Sequence, residues 1–191
     1  SILMRDHEKA SEQALLELKK LEKKHVRTDM EESLWTIYGD ANIEYKIQEL
    51  FRKAKHHISM ILGERYIPVL DHVKVRDIPF RLIIISSSPG LEEKFHKKFP
   101  GKLTEIHVIP LEKLKTHPQR VTIPEVKEIW KYLNFENILN LNIDSEEILM
   151  GAGFSKGASV LNTRNKGAIV QIEMLNQLFW NRFISGGEYQ L

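Results

Sequence analysis

The sequence predicts an α/β fold, a mixed and mostly parallel sheet with helices on both faces, preceded by a long N-terminal helix. Three observations carry this expectation. Short apolar runs at Ile58 to Leu62, Phe80 to Ser86 and Thr104 to Ile109 alternate with segments whose apolar residues recur at helical spacing, the pattern of strands covered by helices. Breaker-rich stretches such as SSSPG at residues 86–90 separate the runs. With 191 residues, 42% of them hydrophobic, the chain can bury one core but is short for two independent folds.

The elements follow in order. Asp6 to about Val26 contains no Gly or Pro and consists largely of strong helix formers. A heptad register places Met4, Ser11, Leu18 and His25 at one seam position and His7, Ala14 and Leu21 at the other, with Leu15 alongside. The seam is apolar only in its middle. It suits either an amphipathic helix docked on its own domain or a dimerising coiled coil built on Ala14, Leu15, Leu18 and Leu21. A polar hinge from Arg27 to Ser33 follows. Asp40 is placed to cap a helix over Ala41 to His56, with Ile43, Ile47, Leu50, Phe51 and Ala54 on its buried side. Ile58 to Leu62 reads as a buried strand, Glu64 to Val75 as a helix, and Phe80 to Ser86 as the central strand. Leu91 to Phe99 is a helix stopped by Pro100 and Gly101, and Thr104 to Ile109 the next strand. Pro110 to Pro124, with three prolines, reads as irregular, and Glu125 to Leu133 as a short helix carrying Trp130. Ile138–Ile143, Glu147–Met150, Ala158–Leu161 and Ala168–Ile172 read as strands, and Met174 to Phe183 as the closing helix.

Charge and composition exclude several classes. The 28 basic and 26 acidic residues leave a net charge of only +2, so no global field draws the chain to nucleic acid or an anionic membrane. The absence of cysteine removes disulfides, thiolate zinc sites and cysteine nucleophiles. Leu82 to Ile85, the longest apolar run, is far too short to span a bilayer, and the cytoplasm is the expected location. His56 and His57 are adjacent at a helix end and do not share a face. His107 alternates with Ile106 and Val108, and His117 lacks partners at metal spacing. Neither a metal nor another cofactor is expected.

Residues 136–183 resemble the second half of a phospholipase-D-like domain. In that family a strand carrying His-x-Lys-x4-Asp leads through a turn to a second strand ending in Gly, then to an Asn-containing segment and a closing amphipathic helix. Asp144, the turn at Ser145 and Glu146, the strand Ile148 to Met150, Gly151, Asn165 and LNQLFWNRF follow this order. Counting back from Asp144 puts Asn137 and Leu139 where the family has its nucleophilic His and its Lys. An amide cannot form the covalent phosphoryl intermediate, nor can an isobutyl group neutralise phosphoryl charge. Asp144 then reads as a turn-capping carboxylate. Trp35, Gly39, Asn42 and Ile43 match a Trp-x3-Gly-x2-Asn-Ile pattern, and AKHHISMIL at 54–62 a helix-to-strand passage. On these residues the chain resembles the non-catalytic phospholipase-D-like effector domain of TrmB-type archaeal transcription regulators.

That resemblance implies a linker and dimerisation helix at 1–30, an effector domain at 31–191, a homodimer, and a small-molecule effector, a sugar by family analogy. DNA would be contacted only through a winged helix that is not in this chain, and no membrane is involved. The ligand candidates are Ser86, Ser87 and Ser88, in a loop after a parallel-type strand, and Ser155 and Lys156 in the Gly-rich stretch GAGFSKGAS, which lacks the spacing of a P-loop. Two alternatives stand beside this expectation: a phosphodiesterase or nuclease drawing on His107, His117 and Lys156, and a dimerisation module without ligand. The lysine clusters at 19–24 and 94–98 lack interleaved aromatics and read as solvated faces.

Overall fold

The structure, a computed structural model, describes residues 16, 19, 20, 34–74, 76–116, 133–152 and 158–185. The chain divides into two units, Ser1–Ser33 and Leu34–Leu191. In the first, Leu16, Lys19 and Lys20 are helical, and the seam residues Ala14, Leu15, Leu18 and Leu21 lie outside the described residues.

The second unit is built on a seven-stranded sheet. Its strands are β1 (Leu34–Tyr38), β2 (Ile58–Gly63), β3 (Phe80–Ile85), β4 (Thr104–Ile109), β5 (Ile138–Ile143), β6 (Glu147–Ala152) and β7 (Ser159–Thr163), in the order β1-β7-β6-β5-β2-β3-β4. Only β2/β3 and β3/β4 are parallel, while the other four pairs are antiparallel. The expected α/β architecture holds, but the sheet is not mostly parallel. The helix-strand alternation that predicts parallel pairing stops after β4, and short turns such as Asp144–Glu146 can join only antiparallel neighbours.

Period-two alternation splits the strands between two layers. Ile58, Met60, Leu62, Phe80, Leu82, Ile84, Leu139, Leu141 and Ile143 face one core. Helix α1 (Asp40–Lys53) closes it with Ile43, Ile47, Leu50 and Phe51, and α3 (Leu91–Lys98) contributes Phe95. A smaller cluster on the opposite face contains Ile61, Ile83, Ile85, Ile109, Leu114 and Phe135. There Leu114 comes from α4 (Leu111–Thr116), while Phe179, Trp180 and Phe183 come from α5 (Lys166–Phe183). Helices therefore cover both faces, as expected.

Several local expectations are corrected. Asp40 is the first helical residue, Gly39 being the N-cap at φ 87°, and its carboxylate instead accepts from the Arg65 guanidinium at 3.1–3.3 Å. Glu64 to Val75 is not one helix: a 3-10 turn at Glu64–Tyr66 and the single turn α2 (Val69–His72) flank Pro68, which cannot supply the N–H that a continuous helix needs. Residues Leu111–Thr116, expected to be irregular, are helical, and the carbonyl of Pro110 just before them accepts from the Lys113 N–H at 3.0 Å. Ala168–Ile172 belongs to α5, because the Asn165 side chain accepts from the Ala168 N–H at 2.9 Å and caps the helix there. The edge strand β1 was unexpected; five residues, LWTIY, give too short an alternation to stand out. Trp130, His117 and the helix expected at 125–133 fall outside the described residues, save Leu133.

Candidate ligand-binding site

The positions matched to the phospholipase-D motif lie at the start of β5. Asn137 ends a 3-10 turn, and Leu139 is fully buried against the α1 side of the sheet. Asp144 acts as the capping carboxylate expected, but across the fold: it accepts the backbone N–H groups of Lys55, His56 and His57 at 2.7–2.8 Å, tying the β5–β6 turn to the chain between α1 and β2. Burial raises its pKa, and the three amide dipoles overcome this and hold it below the usual carboxylate value.

At the carboxyl edge of the parallel strands, the serine loop is tied to carboxylates. Buried Ser86 donates to Glu64 at 2.6 Å and accepts the Ser88 N–H at 3.0 Å; Ser88 donates to the same carboxylate at 3.4 Å. Ser87 donates to Glu112 at 2.6 Å and accepts the Leu111 N–H at 3.1 Å. Two of the three hydroxyl protons are thus committed at short range, which favours a loop-fixing role over an anion cradle. The strand ends Ala152 and Ser159 lie at this same edge, since Ala152 pairs with Ile138 and Leu139 with Leu62. Ser155 and Lys156, between those ends, are outside the described residues.

A different site lies on the opposite half of the α5 face. Here each strand places a polar side chain in line with its neighbour's: Asn142 of β5 pairs in register with Ser59 of β2, Ser59 with Arg81 of β3, and Arg81 with Glu105 of β4. The result is a polar row crossing four strands. Three of its members, Asn142, Ser59 and Arg81, lie on the sheet side of a cleft of about 430 Å³ whose other wall is α5, with His57, Val170, Glu173, Met174, Asn176, Gln177 and Trp180 around it.

The polar contacts position these groups. Asn176 and Asn140 exchange amide hydrogen bonds at 3.0 and 3.3 Å, and Glu173 accepts from Asn142 at 2.8 Å and from the Ser145 hydroxyl. His57 Nε2 lies 3.4 Å from Ser145 Oγ. The Arg81 guanidinium sits 4.0 Å over the Trp180 ring and reaches Glu105 at 3.3 Å, and His107 meets the same ring edge-on at 5.1 Å. With one guanidinium and one carboxylate in its wall, the cleft offers donors and acceptors in near-neutral balance beside an indole. This chemistry suits a neutral, hydroxyl-rich molecule better than a phosphate.

Sequence reasoning missed this cleft, although the signal exists. Asn140 and Asn142 alternate with Leu139, Leu141 and Ile143, and Ser59, Arg81 and His107 interrupt apolar strands at positions that face one way. Of the histidine candidates for a displaced phosphodiesterase, His107 packs against Trp180, and His117 lies outside the described residues. Among the described residues, no group of three His, Asp or Glu side chains could hold a metal, and no helix is long and apolar enough to cross a membrane.

The class defined by this geometry is an α/β domain with a mixed seven-stranded sheet and a cleft under its closing helix. No protein-family profile and no curated protein sequence matches the chain. Among solved structures, TrmBL2, an archaeal chromatin protein described with a novel mode of DNA binding, is similar at 12% identity and a TM-score of 0.45 over 93% of this chain; the chain spans 62% of that protein's length. NucT from Helicobacter pylori is similar at 13% identity and a TM-score of 0.46, over 76% of this chain and 93% of its own.

Proposed function

We propose that this chain is a non-catalytic effector-binding and dimerisation domain of a transcription regulator, and that its ligand, a neutral polyhydroxylated molecule such as a sugar, occupies the cleft between α5 and the sheet. The observation that carries the ligand half is the polar row Asn142–Ser59–Arg81, in register across three strands and facing Glu173, Gln177 and Trp180 across the cleft. A sheet face hidden beneath a helix is ordinarily apolar, because buried polar groups cost free energy unless they are paired. The regulator half rests on the motif resemblance through Trp35, Gly39, Asn42, Ile43 and residues 136–183. DNA contact is assigned to a winged helix outside this chain. Phosphodiester hydrolysis is not assigned, because Asn137 and Leu139 carry neither the nucleophile nor the cation at the motif positions.

Binding of a ligand between α5 and β2–β3 would act by linkage: a molecule that favours one placement of α5 shifts the equilibrium toward it by its differential affinity. The test is thermal unfolding and calorimetric titration of the chain against neutral mono- and oligosaccharides, sugar phosphates and nucleotides. At about 100 times its dissociation constant a ligand adds about 2.7 kcal/mol to stability. Arg81→Ala and Gln177→Ala should each weaken binding about tenfold or more. A panel without a hit, or a hit that both substitutions leave unchanged, would refute this site.

A further inference from the structure

A second cavity, of about 350 Å³, lies on the α1 side of the sheet at the amino ends of the parallel strands. Ile58, Phe80 and Thr104, the first residues of β2, β3 and β4, pair in register and form its sheet wall. Phe51 of α1 and Phe99, just after α3, complete an aromatic lining, the Phe80 ring meeting theirs edge-on at 5.6 and 5.0 Å. Lys74, Arg76 and Asp77, from the segment between α2 and β3, supply the charged part of the lining. The three rings are at most 5% exposed, whereas Lys74 and Asp77 are exposed, so the cavity runs from a charged mouth to an aromatic floor. Nearby surface charges are paired, Lys94 with Asp71 and Lys97 with Glu93. Among the described residues neither Lys74 nor Asp77 has an ion-pair or hydrogen-bond partner. The Arg76 guanidinium is held by the carbonyls of Phe51, Arg52 and Ala54 through Nη1 and Nη2, and these contacts leave its Nε–H.

We infer that this cavity is a binding site for a free aromatic α-amino acid. Its ring would lie against the edges and faces of Phe51, Phe80 and Phe99, its carboxylate would meet Lys74 and Arg76, and its ammonium would meet Asp77. A zwitterion answers both signs of charge at the mouth, whereas a dianionic phosphate would be repelled by Asp77 and a sugar would find no polar partner on the phenyl floor. The amides of Ile58, Phe80 and Thr104 already donate to the carbonyls of Pro79, Leu103 and Gly101, so recognition here falls to side chains. A volume of about 350 Å³ is at the small end of the roughly 300–1,000 Å³ of small-molecule sites, enough for one amino acid and small for a nucleotide. The sheet separates this site from the α5 cleft: Ile58 and Phe80 face the α1 core, while Ser59 and Arg81 face the cleft. The inference is therefore independent of the ligand proposed there.

Calorimetric titration of the full chain tests it with L-phenylalanine and L-tyrosine, against L-alanine, which lacks the ring, and phenylacetate, which lacks the ammonium. The aromatic amino acids should bind with dissociation constants below about 1 mM, at least about tenfold more tightly than either control. Lys74→Ala should weaken phenylalanine and phenylacetate alike by about fivefold, and Asp77→Asn should weaken phenylalanine by about fivefold and spare phenylacetate. Both substitutions are at exposed positions and leave the fold intact. Thr104→Phe, which fills the cavity from its sheet wall, should abolish binding, with far-UV circular dichroism and the unfolding midpoint establishing that the variant is folded. Arg81→Ala, in the α5 cleft, should leave binding unchanged. No saturable binding of either aromatic amino acid up to about 10 mM would overturn the inference. So would binding that Lys74→Ala and Asp77→Asn leave intact, or that Arg81→Ala removes. Phenylacetate bound as tightly as phenylalanine would overturn the assignment to an amino acid.

Discussion

Acid sensitivity should concentrate in one carboxylate. Glu147, at the start of β6, is 4% exposed, with Lys53 at 2.6 Å, Lys46 at 3.0 Å and Arg164 at 3.0 Å. Burial alone would raise its pKa; the Lys53 and Lys46 ammoniums overcome this and hold it at about 2. A group depressed on folding contributes stability above its unfolded value, and loses it as the pH falls through the folded one. Between 4.5 and about 2 the loss amounts to about 3 kcal/mol, at about 1.4 kcal/mol per pH unit. Glu147→Gln removes the same charge at neutral pH. The Lys53 and Arg164 side chains, 35% and 43% exposed, can turn to water, but Lys46 is only 13% exposed and keeps Glu49 alone, at 3.1 Å. The expected cost is therefore near the lower end of the range for breaking a buried pair, about 3 kcal/mol, or roughly 6–12 °C in melting temperature for a chain of this size. Urea denaturation of both proteins at pH 7, 4 and 3 measures it. The variant should be less stable at pH 7 and should lose less on acidification. Stabilities within about 0.5 kcal/mol at pH 7, or parallel acid limbs, would refute the assignment.

Three further substitutions probe the frame of the site. In Gly63→Ala the new Cβ would lie 2.1 Å from the Phe135 carbonyl oxygen and 2.5 Å from that of Glu136, so a loss of about 3 kcal/mol or more is expected in urea denaturation. Arg76 donates to the carbonyls of Phe51, Arg52 and Ala54 at the carboxyl end of α1; Arg76→Ala should cost about 1–2 kcal/mol in the same measurement, with fold and binding in the α5 cleft retained. Asp144→Asn tolerates the left-handed backbone, φ 57°, but removes the charge from three amide hydrogen bonds. It should cost about 2 kcal/mol at pH 7, and the difference from wild type should narrow as acid protonates Asp144 in the native protein.

How far the fold could be read in advance depended on the length of each signal. Ile58–Leu62, Phe80–Ser86 and Thr104–Ile109 are dense apolar runs between breakers, and each is a strand at nearly the expected bounds. Ala168–Ile172 is equally β-like in composition, yet a single side-chain cap at Asn165 and packing along α5 make it helical. Local propensity spans about 1 kcal/mol and cannot arbitrate such cases alone. The sheet's pairing was misjudged for a related reason: parallel order was extended from three strands to a region where short turns dictate hairpins.

The site was legible in the sequence only once the register was known. Ser59, Arg81, Glu105 and Asn142 sit in four strands separated by up to 83 residues, and no spacing rule links them. What aligns them is the ladder, and the ladder follows from the apolar alternation on the other face: Met60, Leu82, Ile106 and Leu141 are buried together in the α1 core, which forces their neighbours one residue earlier or later toward α5. The core that holds the sheet therefore also assembles the polar row. A substitution in that core that slipped one strand by a single residue would turn its member of the row away from the cleft, so the site and the register stand or fall together.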